Sequence, residues 1–306
     1  MLSVILGLSG AVVYGVSDFF GGLGARYLGS IRITWFSEMA GLITAVLAFF
    51  LFGGNWATQA TSQTLFWGGL SGFAGTFAIL FLYASLAIGP MSILSPLGAL
   101  VSAIVPVAWE LFTGHTLSAL AYIAIAVALV AVALVGFVPE KGAVKVTARG
   151  LLFATFAGIG IGLYLICMHQ TSPDSGFAPF VANRFMALTL MTVIVIVTAI
   201  INALKNRGMF AGRGPRADMV VGEQGVINWK RGLQLALVCG VFDTLGNVII
   251  LTGLHIGNMS IMAVLAALYP AGTILLATIL LKERIARVQM IGLALAIIAA
   301  AMLSLA

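Results

Sequence analysis

The sequence predicts an all-α integral membrane protein, with ten transmembrane helices arranged as two inverted five-helix repeats. Three observations predict it. First, 61% of the 306 residues are hydrophobic and only 8% are charged, with a mean hydropathy of +1.15. A soluble domain carries roughly 25% charged residues, so this chain lacks the ionic groups to solvate a globular surface. Second, the sequence divides into ten apolar runs, each near the roughly 20 residues that a spanning helix needs. Third, the chain repeats itself: residues 65–136 shifted by 168 fall on 233–304 without a gap, and ten of the 18 positions from 86 to 103 are identical to their counterparts.

The composition excludes a soluble enzyme, a nucleic-acid-binding domain and a disordered chain. A net charge of +6 and a pI near 9.6 suit nucleic acid in a soluble protein, but in a membrane protein they report cytoplasmic loops. Cys167 and Cys239 both lie in apolar runs and make no disulfide framework.

The runs are 2–23, 32–53, 64–88, 91–113, 116–138, 150–171, 177–204, 231–255, 258–281 and 285–305. Glycine-rich or polar breaks separate them, among them Gly53-Gly54-Asn55, Ile88-Gly89-Pro90 and Thr113-Gly114-His115-Thr116. The first run lacks a basic n-region and exceeds an ordinary h-region, so it reads as a span rather than a signal peptide. None of the runs shows the alternating pattern of an outer-membrane strand. In lipid every backbone polar group needs an internal partner, so a helical bundle follows. Pro96, Pro106 and Pro270 are expected to bend the fourth and ninth helices, because proline removes a backbone hydrogen bond.

Charge fixes the expected orientation. Of the 15 Lys and Arg residues, 14 fall in breaks or at the run ends beside them on one side of the bundle, the side opposite Met1. The remaining one, Arg184, lies within a run. The positive-inside rule makes the basic side cytoplasmic and places both termini outside a multi-pass protein of the cell (inner) membrane. Because each half holds five helices, the halves must insert in opposite orientations. The expected organisation is a first repeat over 1–138, a cytoplasmic linker at 139–149, and a second repeat over 150–306 that carries a basic cytoplasmic loop at 205–231. Inverted repeats in membrane proteins point to alternating-access transport around a midplane site.

Several motifs support a resemblance. They are Gly10-Ala11-Val12-Val13-Tyr14-Gly15-Val16-Ser17-Asp18-Phe19-Phe20-Gly21-Gly22, the turn Ala87-Ile88-Gly89-Pro90-Met91-Ser92, and Leu280-Leu281-Lys282-Glu283-Arg284 after the ninth helix. With the five-plus-five layout, the chain resembles the drug/metabolite transporter superfamily, specifically its ten-helix EamA-type members, over essentially its whole length. The resemblance implies a proton-linked or facilitative carrier of small organic solutes, often an exporter of amino acids or related metabolites. It also implies a central cavity lined by helices 1–4 and 6–9, with helices 5 and 10 peripheral. Two features depart from the family: His115 stands where its members carry a glutamate after helix 4, and the inferred orientation is opposite to that of many relatives.

Apart from Arg32, Arg231 and Arg287 at the very starts of runs, five charges lie inside the runs: Asp18, Glu38, Glu110, Arg184 and Asp243. Such groups are costly in lipid and should face protein or water. Asp243 sits near the midplane with Asn247 one turn on; it reads either as a proton-carrying or substrate-binding acid, or as a packing group. Asp18, on the face of Tyr14, reads either as a second such acid or as a polar group reaching the inner interface. Glu38 and Arg184 correspond at a shift of 146, so Glu38 is expected nearer the cytoplasm and Arg184 nearer the outside. Arg184, beside Asn183, reads as a fork for a substrate carboxylate or as a partner for Glu38, Asp243 or Glu110. Glu110 is expected at the outer interface. Trp35, three residues from Glu38, and Tyr83, Tyr164 and Tyr269 are aromatic candidates, with interfacial anchoring as the alternative for Trp35.

The loop 205–231 lacks the spacing of a phosphate loop and reads as a connector that attracts anionic lipid. His115, His169 and His255 lie near outer helix ends without metal-ligand spacing. The sequence therefore predicts no cofactor, no metal, no ATP and no nucleic acid, and it leaves a homodimer open. The expected function is a proton-coupled exporter of a small organic solute in the lipid bilayer, with Asp243 or Asp18 as coupling acid. The alternatives are an uptake permease for a sugar, nucleoside or similar metabolite and, from another class, an integral-membrane enzyme.

Overall fold

The computed structural model describes residues 2–88, 91–114, 117–136, 148–206, 228–280 and 287–305. Helix α1 covers Leu2–Leu28, α2 Ser30–Leu51, the short α3 Trp56–Gln59, α4 Ser62–Ile88, α5 Met91–Phe112 and α6 Ala119–Gly136. The second half holds α7 Ala148–His169, α8 Ala178–Asn206, α9 Trp229–Ile256, α10 Met259–Ala266, α11 Tyr269–Leu280 and α12 Arg287–Leu305. The ten apolar runs are therefore helical, and six of the helices are long and apolar enough to cross a bilayer unaided. At 1.5 Å per residue, the 27 residues of α1 extend about 40 Å, more than the roughly 30 Å hydrocarbon core.

The breaks follow from local chemistry. One residue, Gly29 at φ 79°, separates α1 from α2, in the left-handed region where a Cβ is costly. Asn55, Asn228 and Asn258 each accept a backbone N–H at the start of α3, α9 and α10, the usual role of asparagine at an N-cap. The ninth run is interrupted by a turn at Ala267-Leu268, whose amides bond the carbonyls of Ala263 and Leu265. Helix α10 ends at Ala266 and α11 begins at Tyr269, and Pro270 cannot donate to the turn before it. Pro96 and Pro106, in contrast, lie within α5, which remains one helix.

Packing between helices comes in matched sets. Helix α1 packs on α9 as α7 packs on α4; α1 packs on α10 and α11 as α7 packs on α5; α2 packs on α9 as α8 packs on α4. The pairs α2–α8, α5–α10 and α6–α12 join equivalent positions directly. The match extends to single residues. A Cβ on Gly72 would strike the carbonyl of Asn183, and a Cβ on Gly240 would strike the carbonyl of Ser37. The offsets are 168 between the glycines and 146 between their partners, the same two shifts at which the sequence repeats.

Small residues permit this proximity. Ala124, Ala128 and Ala131 of α6 meet Ala296, Ala299 and Ala300 of α12 in one buried cluster. A second cluster draws on the end of α7 (Leu165, Ile166, Met168), Phe180 of α8, the end of α9 (Ile250, Leu251, Leu254) and Met259 and Met262 of α10. Its members lie mostly at the helix ends on the side where α1 begins.

Candidate functional site

Below the second cluster lies a cavity of about 160 Å³, lined from α1, α2, α4, α5, α7, α8, α9, α10 and the first residue of α11. Among the described residues, helices α6 and α12 contribute nothing to it. Nine sequence candidates line it: Tyr14, Asp18, Glu38, Tyr164, Asn183, Arg184, Asp243, Asn247 and Tyr269. The side chain of Tyr83 lies outside the described residues, as do His115, the 281–286 segment, and most of the linker and the basic loop.

Arg184 organises the polar wall. Its Nη1 donates to Glu38 Oε2 at 2.7 Å and its Nη2 to Asp243 Oδ2. Its guanidinium carbon stands 4.9 Å from the Phe180 ring centroid. Glu38 and Arg184 are each only 5% exposed, whereas the Asp243 side chain is 32% exposed. Asn247, one turn beyond Asp243, donates from Nδ2 to Asp243 Oδ2 at 3.1 Å and to its backbone carbonyl at 2.7 Å. That fixes the amide so that Oδ1 accepts from Tyr14 Oη at 2.7 Å and from Tyr164 Oη. A chain of contacts thus runs from α2 through α8 and α9 to α1 and α7.

Asp18 differs from the other acids. It lines the cavity, is exposed, and makes no hydrogen bond or ion pair among the described residues. Its neighbour Ser17 donates to the Cys239 carbonyl at 3.0 Å, which seats this turn of α1 on α9.

The contacts decide between several of the readings the sequence left open. Glu38 and Arg184 are bonded to each other across the two helices. Each lies in the first half of its own helix, and the approach of α2 to α8 with the reach of both side chains closes the gap. Arg184 does not present a free fork, because both terminal nitrogens are engaged. Trp35 is absent from the cavity lining: its indole N–H donates to Thr192 Oγ1 on α8 at 2.9 Å. Glu110, near the end of α5, is buried against protein, and its Oε2 accepts from Ser260 N at 3.3 Å and from Ser260 Oγ, at the start of α10. Asn183 holds its place in the lining, but its amide is spent on Ser71 Oγ at 2.8 Å, which ties α8 to α4.

The sequence reading passed over Thr76 and Ser102, which add hydroxyls to the lining, and Gly72 and Gly75, which form its α4 wall. The spacing Gly68-x-x-x-Gly72, with both glycines against α8 backbone, is the available signal for that wall. At the closed end, His169 Nδ1 lies 3.2 Å from the Leu254 carbonyl and His255 Nε2 lies 3.1 Å from Thr171 Oγ1. These two contacts strap α7 to α9.

The EamA-like transporter family matches residues 148–305, just over half of the chain. The chain belongs to the EamA-like transporter family. An EamA-like protein is a membrane transporter, not an enzyme, and its helices are those of a multi-pass bundle. One crystal structure superposes on this EamA-like chain with a TM-score of 0.70, covering 99% of this chain and 96% of the other at 13% sequence identity. At that identity the likeness is one of fold. A comparison with curated proteins finds no match.

Proposed function

We propose that this EamA-like transporter is a proton-coupled exporter of a small organic metabolite, an amino acid or related solute, working by alternating access. The observation that carries the reading is the central cavity with one accessible, unpartnered carboxylate, Asp18, beside a locked polar network. A coupling acid must exchange protons with water and also meet the substrate route, and Asp18 does both. Asp243 is the weaker candidate, because its carboxylate is held by Arg184 and Asn247. The apolar cluster seals the end where α1 begins, and Asp18 lies towards the other end of α1, so the cavity reads as open to the basic-loop side. The volume sets the scale of the solute: an engineered cavity of roughly 150 Å³ takes benzene.

In this reading Tyr14, Tyr164, Tyr269 and Asn247 contact the solute, while Glu38, Arg184 and Asp243 hold the helices around it. The halves 1–138 and 150–306 act as the two moving units, the basic loop faces the cytoplasm, and the bilayer is the inner membrane with both termini outside. The test is a metabolite screen of cells with and without the protein, followed by transport of the best hit in proteoliposomes under an imposed pH gradient. Accumulation that follows the gradient and collapses with it supports the proposal. Transport indifferent to the gradient defeats the coupling, and no transport defeats the carrier reading.

A further inference from the structure

Repeat-equivalent positions have unequal surroundings, and the inequality distinguishes the two ends of the molecule. Leu82 on α4 and Ile250 on α9 correspond at the offset of 168. Leu82 lines the cavity, whereas Ile250 is 1% exposed within the second apolar cluster. In an inverted repeat these positions lie towards opposite membrane faces. One end is therefore hollow where the other is filled.

A polar contact fastens the filled end. The first turn of α10 has backbone N–H groups without partners in its own helix. Asn258 satisfies one of them, accepting from Ile261 N at 3.2 Å. Another is satisfied from the other half of the chain, where Glu110 on α5 accepts from Ser260 N at 3.3 Å and also from Ser260 Oγ. Glu110 is 6% exposed and Ser260 0%, so water is excluded from the contact. A carboxylate at this place gains from charge-assisted hydrogen bonds and from the helix dipole. Helix α5 belongs to the first half and α10 to the second, so the bond joins units that alternating access must move against each other.

The repeat supplies the comparison. A carrier built from inverted halves reaches its other state when the halves exchange conformations. The bond at one end then gives way to a bond between the equivalent residues at the other. At the offset of 168 the equivalents of Glu110 and Ser260 are Thr278 and Ser92. The sequence offers a threonine in place of the acid, and a neutral hydrogen bond is roughly half as strong as a charge-assisted one. From this asymmetry we infer that Glu110 is a latch: it staples α5 to the first turn of α10, holds shut the end where α1 begins, and sets the resting population towards the state open on the basic-loop side. Glu110 is a positioning residue, because it acts through α10 and is absent from the cavity lining. The inference rests on the alternating-access reading above and adds a resting state to it.

The test places one reporter at each end, Leu82→Cys or Ile250→Cys, in full-length protein carrying Cys167→Ala and Cys239→Ala. The rate of reaction with a charged thiol reagent is measured in detergent, where the reagent reaches both ends. With the latch unaltered, position 82 should react readily and position 250 slowly. Glu110→Gln keeps the shape of the acid and removes its charge. It should speed position 250 about tenfold, the equivalent of about 1.4 kcal/mol, without speeding position 82. Thr278→Glu supplies the missing acid at the opposite end and should also speed position 250, and the double variant should speed it more than either. A merely structural role gives another pattern, because a loosened fold speeds both positions together. That pattern overturns the inference. So does position 250 reacting as fast as position 82 with the latch unaltered, or staying unmoved in both Glu110→Gln and Thr278→Glu. If Glu110→Gln does not fold, Thr278→Glu and Ser260→Ala decide, and each should speed position 250 alone. Transport in proteoliposomes separates the two levels. Labelling that shifts as expected in a protein that carries no solute leaves the latch standing and removes the carrier reading. Solute transport with labelling that ignores Glu110 and Thr278 does the reverse.

Discussion

Glu38 and Arg184 occupy the same place in the two halves of the chain and touch each other. They are 146 residues apart, and Nη1 meets Oε2 at 2.7 Å. Their neighbours Ser37 and Asn183 stand at the same offset, each with its carbonyl against an equivalent glycine. A position that contacts its own repeat partner lies on the axis relating the halves. The Glu38–Arg184 pair therefore joins the two halves at equivalent positions.

Removing the guanidinium should be severe. Arg184→Met leaves Glu38 and Asp243 without a counter-charge, and breaking such a buried pair costs about 3–5 kcal/mol. We expect a large fall in the melting midpoint and in the yield of monodisperse protein. The exchange Glu38→Arg with Arg184→Glu restores the pair but sets a glutamate against Asp243. It should recover stability only when Asp243→Asn is added. A swap as stable as the wild type on its own would remove Asp243 from the network.

Coupling should be lost at one acid and kept at the other. In proteoliposomes, Asp18→Asn should abolish pH-driven accumulation while leaving solute exchange partly intact, because an amide keeps the shape and cannot ionise. Asp243→Asn should still respond to the gradient, since the acid it removes is engaged by Arg184. Gradient-driven accumulation in a folded Asp18→Asn variant would return the role to Asp243.

Asn247 is the acceptor shared by two phenols. Asn247→Leu strands both hydroxyls and frees the outer arm of Asp243, and each buried polar group left unpaired costs about 1–3 kcal/mol. Its melting midpoint should fall further than that of Tyr14→Phe or Tyr164→Phe. Combining either phenylalanine with the leucine should add less than its separate effect. Full additivity would mean that the Asn247 contacts do not bear on stability.

The glycine pair offers a test that needs no transport assay. Gly72→Ala and Gly240→Ala each press a methyl onto a neighbouring helix carbonyl, so both should destabilise to a similar degree. Gly22→Ala, with nothing within 4 Å of its added carbon, should be close to neutral in a thermal melt. Unequal responses at 72 and 240 would argue against equivalent roles for the two helix contacts.

Much of this architecture was legible in the sequence. Apolar length gave the ten spans, and the offset of 168 gave the relation between the halves. What escaped was mostly depth and partnership. Trp35 and Glu38 share a face by spacing, but spacing does not say that α8 offers Thr192 to one and Arg184 to the other. Glu110 stands near a helix end, and the sequence could not reveal that the first turn of α10 covers it. Pro270 was legible as an irregularity in the ninth helix, and a turn at Ala267-Leu268 marks it. Thr76 and Ser102 carry no signal that separates them from other hydroxyls in apolar runs.

Orientation remains open to a direct measurement. A reporter active only in the cytoplasm should be silent when fused to Ala306 and active when inserted in the 205–231 loop, because 14 of the 15 basic residues lie on that side. The opposite pattern would invert every statement of sidedness and leave the contacts unchanged.

The pair on the axis also bears on ancestry. In an assembly of two identical subunits, a residue on the two-fold axis meets its own copy, so an acid there meets an acid and a base meets a base. An ion pair at that place is available only once the two halves are free to differ. Opposite charges at 38 and 184 are therefore a feature that duplication followed by divergence permits and that a symmetric dimer cannot have. The equivalent positions 18 and 164, an acid in one half and a tyrosine in the other, have diverged in the same way.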